Sequence, residues 1–426
     1  MPRVYIRKNT SYYHPVLYTL KTIEKNQNTK FDFTDESNNA SLLWDHQHPG
    51  SQVIAREFYD ELDKELPGLS HKQVFAGEQM IFDSQGRADL LASIFYMINC
   101  LQEFAATQED LDALGRFRYE ASYQHKFDSI RQNLVQQYMD TLCSELGLRC
   151  HKNPSAFFLS HDIDTLYGSL WQDGFWTLKN IKPAAMLSLI AGEVSRKPHW
   201  KNMDKIMRIN SAYDVKAVFF WLVAKGRGKN QVGNADYSIQ RERKLLKTVR
   251  EKGFVNGLHK STADQTLDQE LSKEKMLEPY NRYHFLMFLP PEQWPQLSES
   301  SVQFDSSLGF AERYGFRNSY AGAFQPFDFR KKQPYNFVEA PLVFMDTTFH
   351  RYMKMPVNQV RNAIIDTFEK NPHNGLFSLV WHNNFFTDYK YGGWTQVYKD
   401  LLAYISENRI RTFTPAEIVQ QARIDW

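Results

Sequence analysis

The chain has 426 residues, enough for two domains or for one large domain with an appendage. Lys and Arg number 51 against 49 Asp and Glu, a net charge of +2, and 42% of residues are hydrophobic; this is the balance of a folded protein, with no overall field to draw in nucleic acid or an anionic bilayer. No apolar run approaches the ~20 residues of a membrane span; the polar, basic opening MPRVYIRKNTSYYH does not read as a secretory signal, and the dispersed Cys100, Cys143 and Cys150 have neither disulfide nor zinc-like spacing, so a cytoplasmic protein is expected.

In chain order, residues 86–103 (GRADLLASIFYMINCLQE) carry a broad helical stripe of apolar side chains, and residues 129–146 repeat the pattern. The polar stretch 147–155, with Pro154, marks a boundary, dividing the chain into a companion α/β domain at 1–150 and a second domain at 151–426. Beyond it, short apolar runs at 156–160, 216–223, 253–258, 284–288, 302–305, 337–344 and 377–381 alternate with helical patterns, among them 239–251, 291–299, 357–369 and 394–407. Alternation of this kind predicts an α/β fold with a mostly parallel sheet, open or closed, and seven strands favour a (β/α)7-type barrel, somewhat incomplete. In such folds the chemistry gathers where strands give way to loops at their carboxyl ends.

Four strand ends carry candidate groups. In FFLSHDID an apolar strand runs into Asp162 and Asp164, whose two-residue spacing points both carboxylates one way; a divalent cation between them removes their repulsion. The alternative is a pair of solvated turn carboxylates. His259 follows the strand in GFVNGLHKS, Arg282 and His284 alternate in NRYHFL, and His382 ends the strand in LFSLVWHNN. Each could be an ordinary loop or surface residue, but one parallel sheet would bring all four ends together. Residues 171–190 are amphipathic ahead of a basic turn near Lys197, a pattern read as a lid or core helix before a helix lying on a membrane interface. Trp171, Phe175, Trp176, Tyr391 and Trp394 could stack on sugar faces, although most such rings simply pack.

From about residue 155 onward the chain resembles the NodB-homology polysaccharide deacetylases, the fourth carbohydrate esterase family. The match is to a bacterial branch with an extra N-terminal domain, which the 89–103 helix also resembles. The resemblance rests on SHDID at 160–164, GLHKS at 257–261, RYHFL at 282–286, FDSSLGFAERYGFR at 304–317, EAPLVFMDTT at 339–348 and LVWHNN at 379–384, in that order over some 230 residues. It implies a metal-dependent hydrolase that removes an acetyl group from a sugar during bacterial surface-glycan biosynthesis. By motif, Asp162 is the implied general base, Arg282 its orienting cation and His382 the general acid. Asp164 and His259 are the implied ligands of a divalent metal, read as Zn²⁺. The family's usual second ligand histidine falls at Ala263, which cannot bind a metal; Ser261 and Asp264 are near, and His284 is nominated as the third ligand. The implied partner is an acetylated sugar or glycan precursor, with no nucleic acid and no membrane span, peripheral contact with the inner membrane remaining open. Two other readings stand beside this one: a non-catalytic glycan-binding or scaffolding member of the same fold, and an amidase acting on a small non-sugar amide.

Overall fold

The computed structural model describes residues 1–64, 68–75, 77–149 and 151–426, so Cys150, within the expected boundary stretch 147–155, lies outside the described residues. A small parallel sheet opens the chain, with β1 (Arg3–Ile6) between β2 (Asp32–Phe33) and β3 (Leu42–Trp44). Against it packs α1 (Tyr13–Gln27), and α2 (Leu90–Ile98) lies between α1 and α3 (Leu134–Glu145). Every residue of α2 is buried, so the broad apolar stripe in the sequence is a fully enclosed helix. It starts later than the pattern suggests, because Asp89 caps it through the Ala92 N–H at 2.9 Å, and it stops at Cys100, which turns left-handed (φ 53°).

The rest of the chain builds one sheet of eight parallel segments. In chain order they are β4 (Ala156–Ile163), β5 (Ala217–Leu222), β6 (Val255–Lys260), β7 (Tyr280–Tyr283), β8 (Phe304–Asp305), β9 (Val338–Glu339), β10 (Leu342–Met345) and β11 (Leu376–Val380). Their spatial order is β9-β8-β7-β6-β5-β4-β11-β10. The two edge segments, β9 and β10, are separated in sequence only by Ala340 and Pro341. One extended run therefore borders both edges, and the sheet curls into a barrel of seven strand positions. Crossover helices flank it, including α4 (Ser169–Lys179), α5 (Pro183–Val194), α6 (Met203–Ala212), α7 (Arg243–Glu251), α8 (Pro290–Ser298) and α9 (Val357–Glu369), and α10 (Trp394–Glu407) and α11 (Pro415–Ala422) follow the last strand.

Strand periodicity explains what fills the barrel. Along β4, Phe158 meets Val218, Phe220, Phe304 and Val338 in an interior cluster, while Phe157 and Leu159 face the surrounding helices. The inward row that begins at Phe158 continues through Ser160 and Asp162, since residues two apart share a face. Above the apolar floor lies the Phe220 ring. It leaves no room on β6 for a side chain at Gly257, whose Cβ would stand 2.6 Å from that ring.

One expected strand is displaced. Residues 284–288 are not a strand: β7 ends at Tyr283, and His284 opens a tight turn in which Phe285 (φ 57°) and Leu286 (φ 51°) are left-handed. An apolar run reads as a strand, but two consecutive residues in this region cannot continue a sheet. Residues 171–190 are not a core helix either. They form a helical hairpin, α4 and α5, with most of its large apolar side chains in solvent.

Candidate metal centre and active site

Asp162, at the inward row of β4, is 3% exposed. Its Oδ1 accepts from Arg282 Nη1 at 2.9 Å. Arg282 reaches across from β7 and is itself fully enclosed. It donates to the Ser160 hydroxyl (2.7 Å), to the Ser306 carbonyl (2.8 Å) and to the Ser306 hydroxyl (3.1 Å), with the Phe220 ring 4.7 Å from the guanidinium carbon. A buried charge held in this way is satisfied at nearly every donor. Burial works against the charge on Asp162, but Arg282, with His259 and His382, outweighs it and holds the carboxyl below its ordinary value.

His259, at the end of β6, donates through Nδ1 to the Arg282 carbonyl at 2.9 Å. In the neutral ring Nε2 is then a bare lone pair, and it lies 3.3 Å from Asp164 Oδ1 and 3.7 Å from Asp162 Oδ2. Three acceptors facing one another repel unless a proton or a cation lies among them. His284 completes the group: its Nε2 is 3.7 Å from Asp164 Oδ1, and its ring centroid is 4.9 Å from that of His259. One ligand atom each from Asp164, His259 and His284 can be chosen so that all three lie within 4.8 Å of one another. Asp164 Oδ1, His259 Nε2 and both ring nitrogens of His284 are buried and accept or donate no hydrogen bond. An orphaned carboxylate oxygen with an orphaned nitrogen of each of two imidazoles 3.3 and 3.7 Å away is the environment a divalent cation satisfies, and a histidine whose other nitrogen is tied to a carbonyl, as in His259, is already oriented for it. The residues present fit such an ion.

Of the other candidates for a third ligand, Ser261 is committed to the buried Glu270, donating through its hydroxyl at 2.5 Å, and Asp264 is exposed. His382 follows β11 on the open side of the group, with Nε2 3.8 Å from Asp164 Oδ2. The Asp346 carboxylate at the end of β10 grips it twice, accepting from its Nδ1 at 2.7 Å and from its backbone N–H at 2.5 Å. Burial opposes a charge on this ring, but Asp346, Asp164 and Asp162 outweigh burial and push its pKa up to about 10. Asp164 keeps 31% of its side chain exposed and His382 13%, so the group opens to solvent between them.

The sequence expectations omitted Asp346, Ser160 and Ser306. Asp346 had a visible signal, as a carboxylate closing the apolar run LVFM, but its partner lies 36 residues away. His161, between the serine and the first aspartate, faces outward instead. It donates to the Trp381 carbonyl (2.8 Å) and accepts from Asn210 (3.0 Å), and burial lowers its pKa to about 4, leaving it neutral. Among the aromatics, Trp394 and Tyr391 pack around Phe385, whereas Trp171 and Phe175 are 83% and 72% exposed.

Residues 4–150 match a family model described as a family of unknown function (DUF7033). No curated protein matches the chain. Among solved structures, a protein from Mycobacterium smegmatis assigned as a polysaccharide deacetylase is 12% identical, with a TM-score of 0.41 over 64% of this chain and 91% of that one. The polysaccharide deacetylase of Bacillus cereus is also 12% identical, with a TM-score of 0.30 over 62% and 94%. A protein from Bordetella bronchiseptica assigned as a polysaccharide deacetylase involved in O-antigen biosynthesis is 13% identical, with a TM-score of 0.30 over 63% and 84%. Likenesses this remote leave the reading of this chain to its own geometry.

Proposed function

We propose that this chain is a metal-dependent carbohydrate deacetylase of the NodB-homology kind, acting on an acetylated sugar of a bacterial surface glycan or its precursor. The observation that carries the reading is the convergence of three unpartnered buried atoms, one each from Asp164, His259 and His284, beside the ionised Asp162. These three residues would hold the ion, most simply Zn²⁺ for a site of two imidazoles and one carboxylate. Bound there, a divalent cation supplies Lewis acidity to the acetyl carbonyl and lowers the pKa of water.

The remaining work belongs to the side chains. Asp162 takes the proton of the attacking water through its free oxygen, the other being engaged by Arg282. Arg282 keeps that carboxylate ionised and aimed. His382, held charged by Asp346, donates a proton to the departing sugar nitrogen or oxygen across the open side of the site. The companion domain at 1–150 and the barrel at 151–426 form the two units of this reading, placed in the cytoplasm.

Metal analysis and turnover of a panel of acetylated sugars test it together. About one equivalent of zinc is expected in the wild-type chain, lost in Asp164→Ala. Asp162→Asn and His382→Ala should keep the metal and the fold while losing roughly 10²–10⁴-fold in turnover each. A chain that takes up no metal under replete conditions is a scaffold and not an enzyme, and turnover near wild type in either variant would overturn the assigned roles.

A further inference from the structure

The charge balance of the whole chain conceals a local exception. Eleven large hydrophobic side chains are exposed among the described residues, and seven lie within the hairpin α4–α5: Trp171, Phe175, Leu178, Ile181, Leu187, Ile190 and Val194. Residues 171, 175 and 178 form one face of α4, and residues 187, 190 and 194 one face of α5, by the helical spacing of three and four. The inner faces are already used. Gly174 and Thr177 pack on Met186, with the Thr177 hydroxyl 3.4 Å from its sulfur, and Leu189 is 1% exposed. The outward faces are thus a surplus that the hairpin does not need for its own packing.

The hairpin is firmly rooted. The Asp236 carboxylate accepts from the backbone N–H groups of Leu166, Tyr167 and Gly168 just before α4. Buried Asp173 accepts from Trp200 Nε1 (3.0 Å), the Tyr389 hydroxyl (2.5 Å) and Lys390 (2.7 Å). The second anchor ties the hairpin to the loop that follows His382, so the apolar face is fixed beside the mouth of the barrel. At its tip Ile181 is 86% exposed and left-handed (φ 52°), a conformation unfavourable for a β-branched residue and ordinarily left to Gly or Asn. Nothing in the fold repays isoleucine there.

Charge identifies the occupant. Lys179, Lys182, Arg196 and Lys197 are exposed at the ends of the two helices, whereas the acids of this stretch are the enclosed Asp173 and a single exposed Glu193. Rigid apolar faces rimmed by cations match a bilayer surface, with acyl chains below and anionic headgroups around. We infer that this hairpin docks the protein on an anionic lipid surface, with the barrel mouth held at the membrane interface. The docking rests on the hairpin alone and not on the catalytic reading, so the two can fail separately.

Co-sedimentation of the full chain with vesicles tests it, using equal parts phosphatidylglycerol and phosphatidylcholine against phosphatidylcholine alone. The mixed vesicles should bind the protein more tightly and shift its tryptophan emission to the blue as Trp171 leaves water. Trp171→Gln, Phe175→Gln and Ile181→Gln, all surface substitutions, should each weaken partitioning about tenfold or more. Replacing Lys179, Lys182, Arg196 or Lys197 by Gln should cost about fivefold per charge on anionic vesicles only. Circular dichroism and metal content unchanged from wild type would show the fold intact in each variant. The inference is overturned if the mixed vesicles leave the protein in the supernatant at low salt, or if the glutamine variants bind as wild type does. It is overturned equally by a concentration-dependent dimer that the same variants abolish, which would make the face a contact between two copies.

Discussion

His382 and Asp346 form the most economical device in the site. One carboxylate accepts from both the ring Nδ1 and the backbone N–H of the same histidine, holding the Nδ1 proton and the ring position together. Nε2 is left as the only nitrogen free to act, on the side where Asp164 is exposed. Replacing Asp346 by Asn changes one oxygen to a donor and removes the charge that keeps the ring protonated, while leaving Asp164, His259 and His284 untouched. The expected result for Asp346→Asn is a fall in kcat of a hundredfold or more, with KM and metal content near wild type. Steady-state kinetics and metal analysis check it; loss of metal in parallel with activity would mean that Asp346 supports the ion and not the proton donor.

At the scale of strands, β8 and β9 place Asp305 directly opposite Glu339, both fully enclosed. Asp305 accepts from Asn281 (2.7 Å) and from the Ser307 backbone (2.9 Å), and Glu339 accepts from the Leu308 N–H (3.2 Å). Burial raises Asp305 to about 6, and burial together with Asp305 raises Glu339 well above its ordinary value. Folded pKa values above the unfolded ones favour the fold fully below about pH 4, and that contribution is lost as pH rises through 6 and beyond. Glu339→Gln should therefore flatten the decline in unfolding free energy over this window, where each proton contributes up to about 1.4 kcal/mol per pH unit. Urea melts at stepped pH measure it, and parallel slopes in variant and wild type would refute the raised pKa of Glu339. The same strands show what the sequence could reveal. Helices α9 and α10 match their expected bounds, 357–369 and 394–407, because strong amphipathic periodicity needs no tertiary context. The strand-end groups Asp162, His259 and His382 were legible because an apolar run stops at or beside each. The turn after β7 was not: HFLMF is a continuous apolar run, and the left-handed Phe285 and Leu286 are set by packing that no local pattern records. The single run 337–344 likewise gave no sign that Ala340 and Pro341 carry it from one sheet edge to the other.

Across the whole molecule, the N-terminal segments that carry Glu103, Arg116 and Ile130 are fastened to the barrel at its loops rather than tethered beside it. Arg317 is 1% exposed and donates through Nε (2.9 Å) and Nη2 (2.6 Å) to Glu103, also enclosed, and to the carbonyls of Gly309 and Phe288. Two residues earlier Gly315 (φ 129°) lies against Ile130, where a Cβ would stand 2.4 Å from the carbonyl oxygen; the adjoining Phe316 N–H donates to that same oxygen at 2.7 Å. Arg116 reaches the Phe285 carbonyl at 2.9 Å and so braces the turn that begins at His284. The N-terminal unit thereby supports a side chain of the candidate metal group, and the two units should unfold together. Glu103→Ala strands a guanidinium in the interior and should cost about 3–5 kcal/mol, whereas Glu103→Leu with Arg317→Met removes both charges and should recover most of that loss. A double-mutant cycle by urea unfolding, with bound metal followed in the same samples, decides the point. Metal release coincident with global unfolding fits one cooperative body, and an early transition that spares the metal would show that the N-terminal unit folds and fails independently of the site.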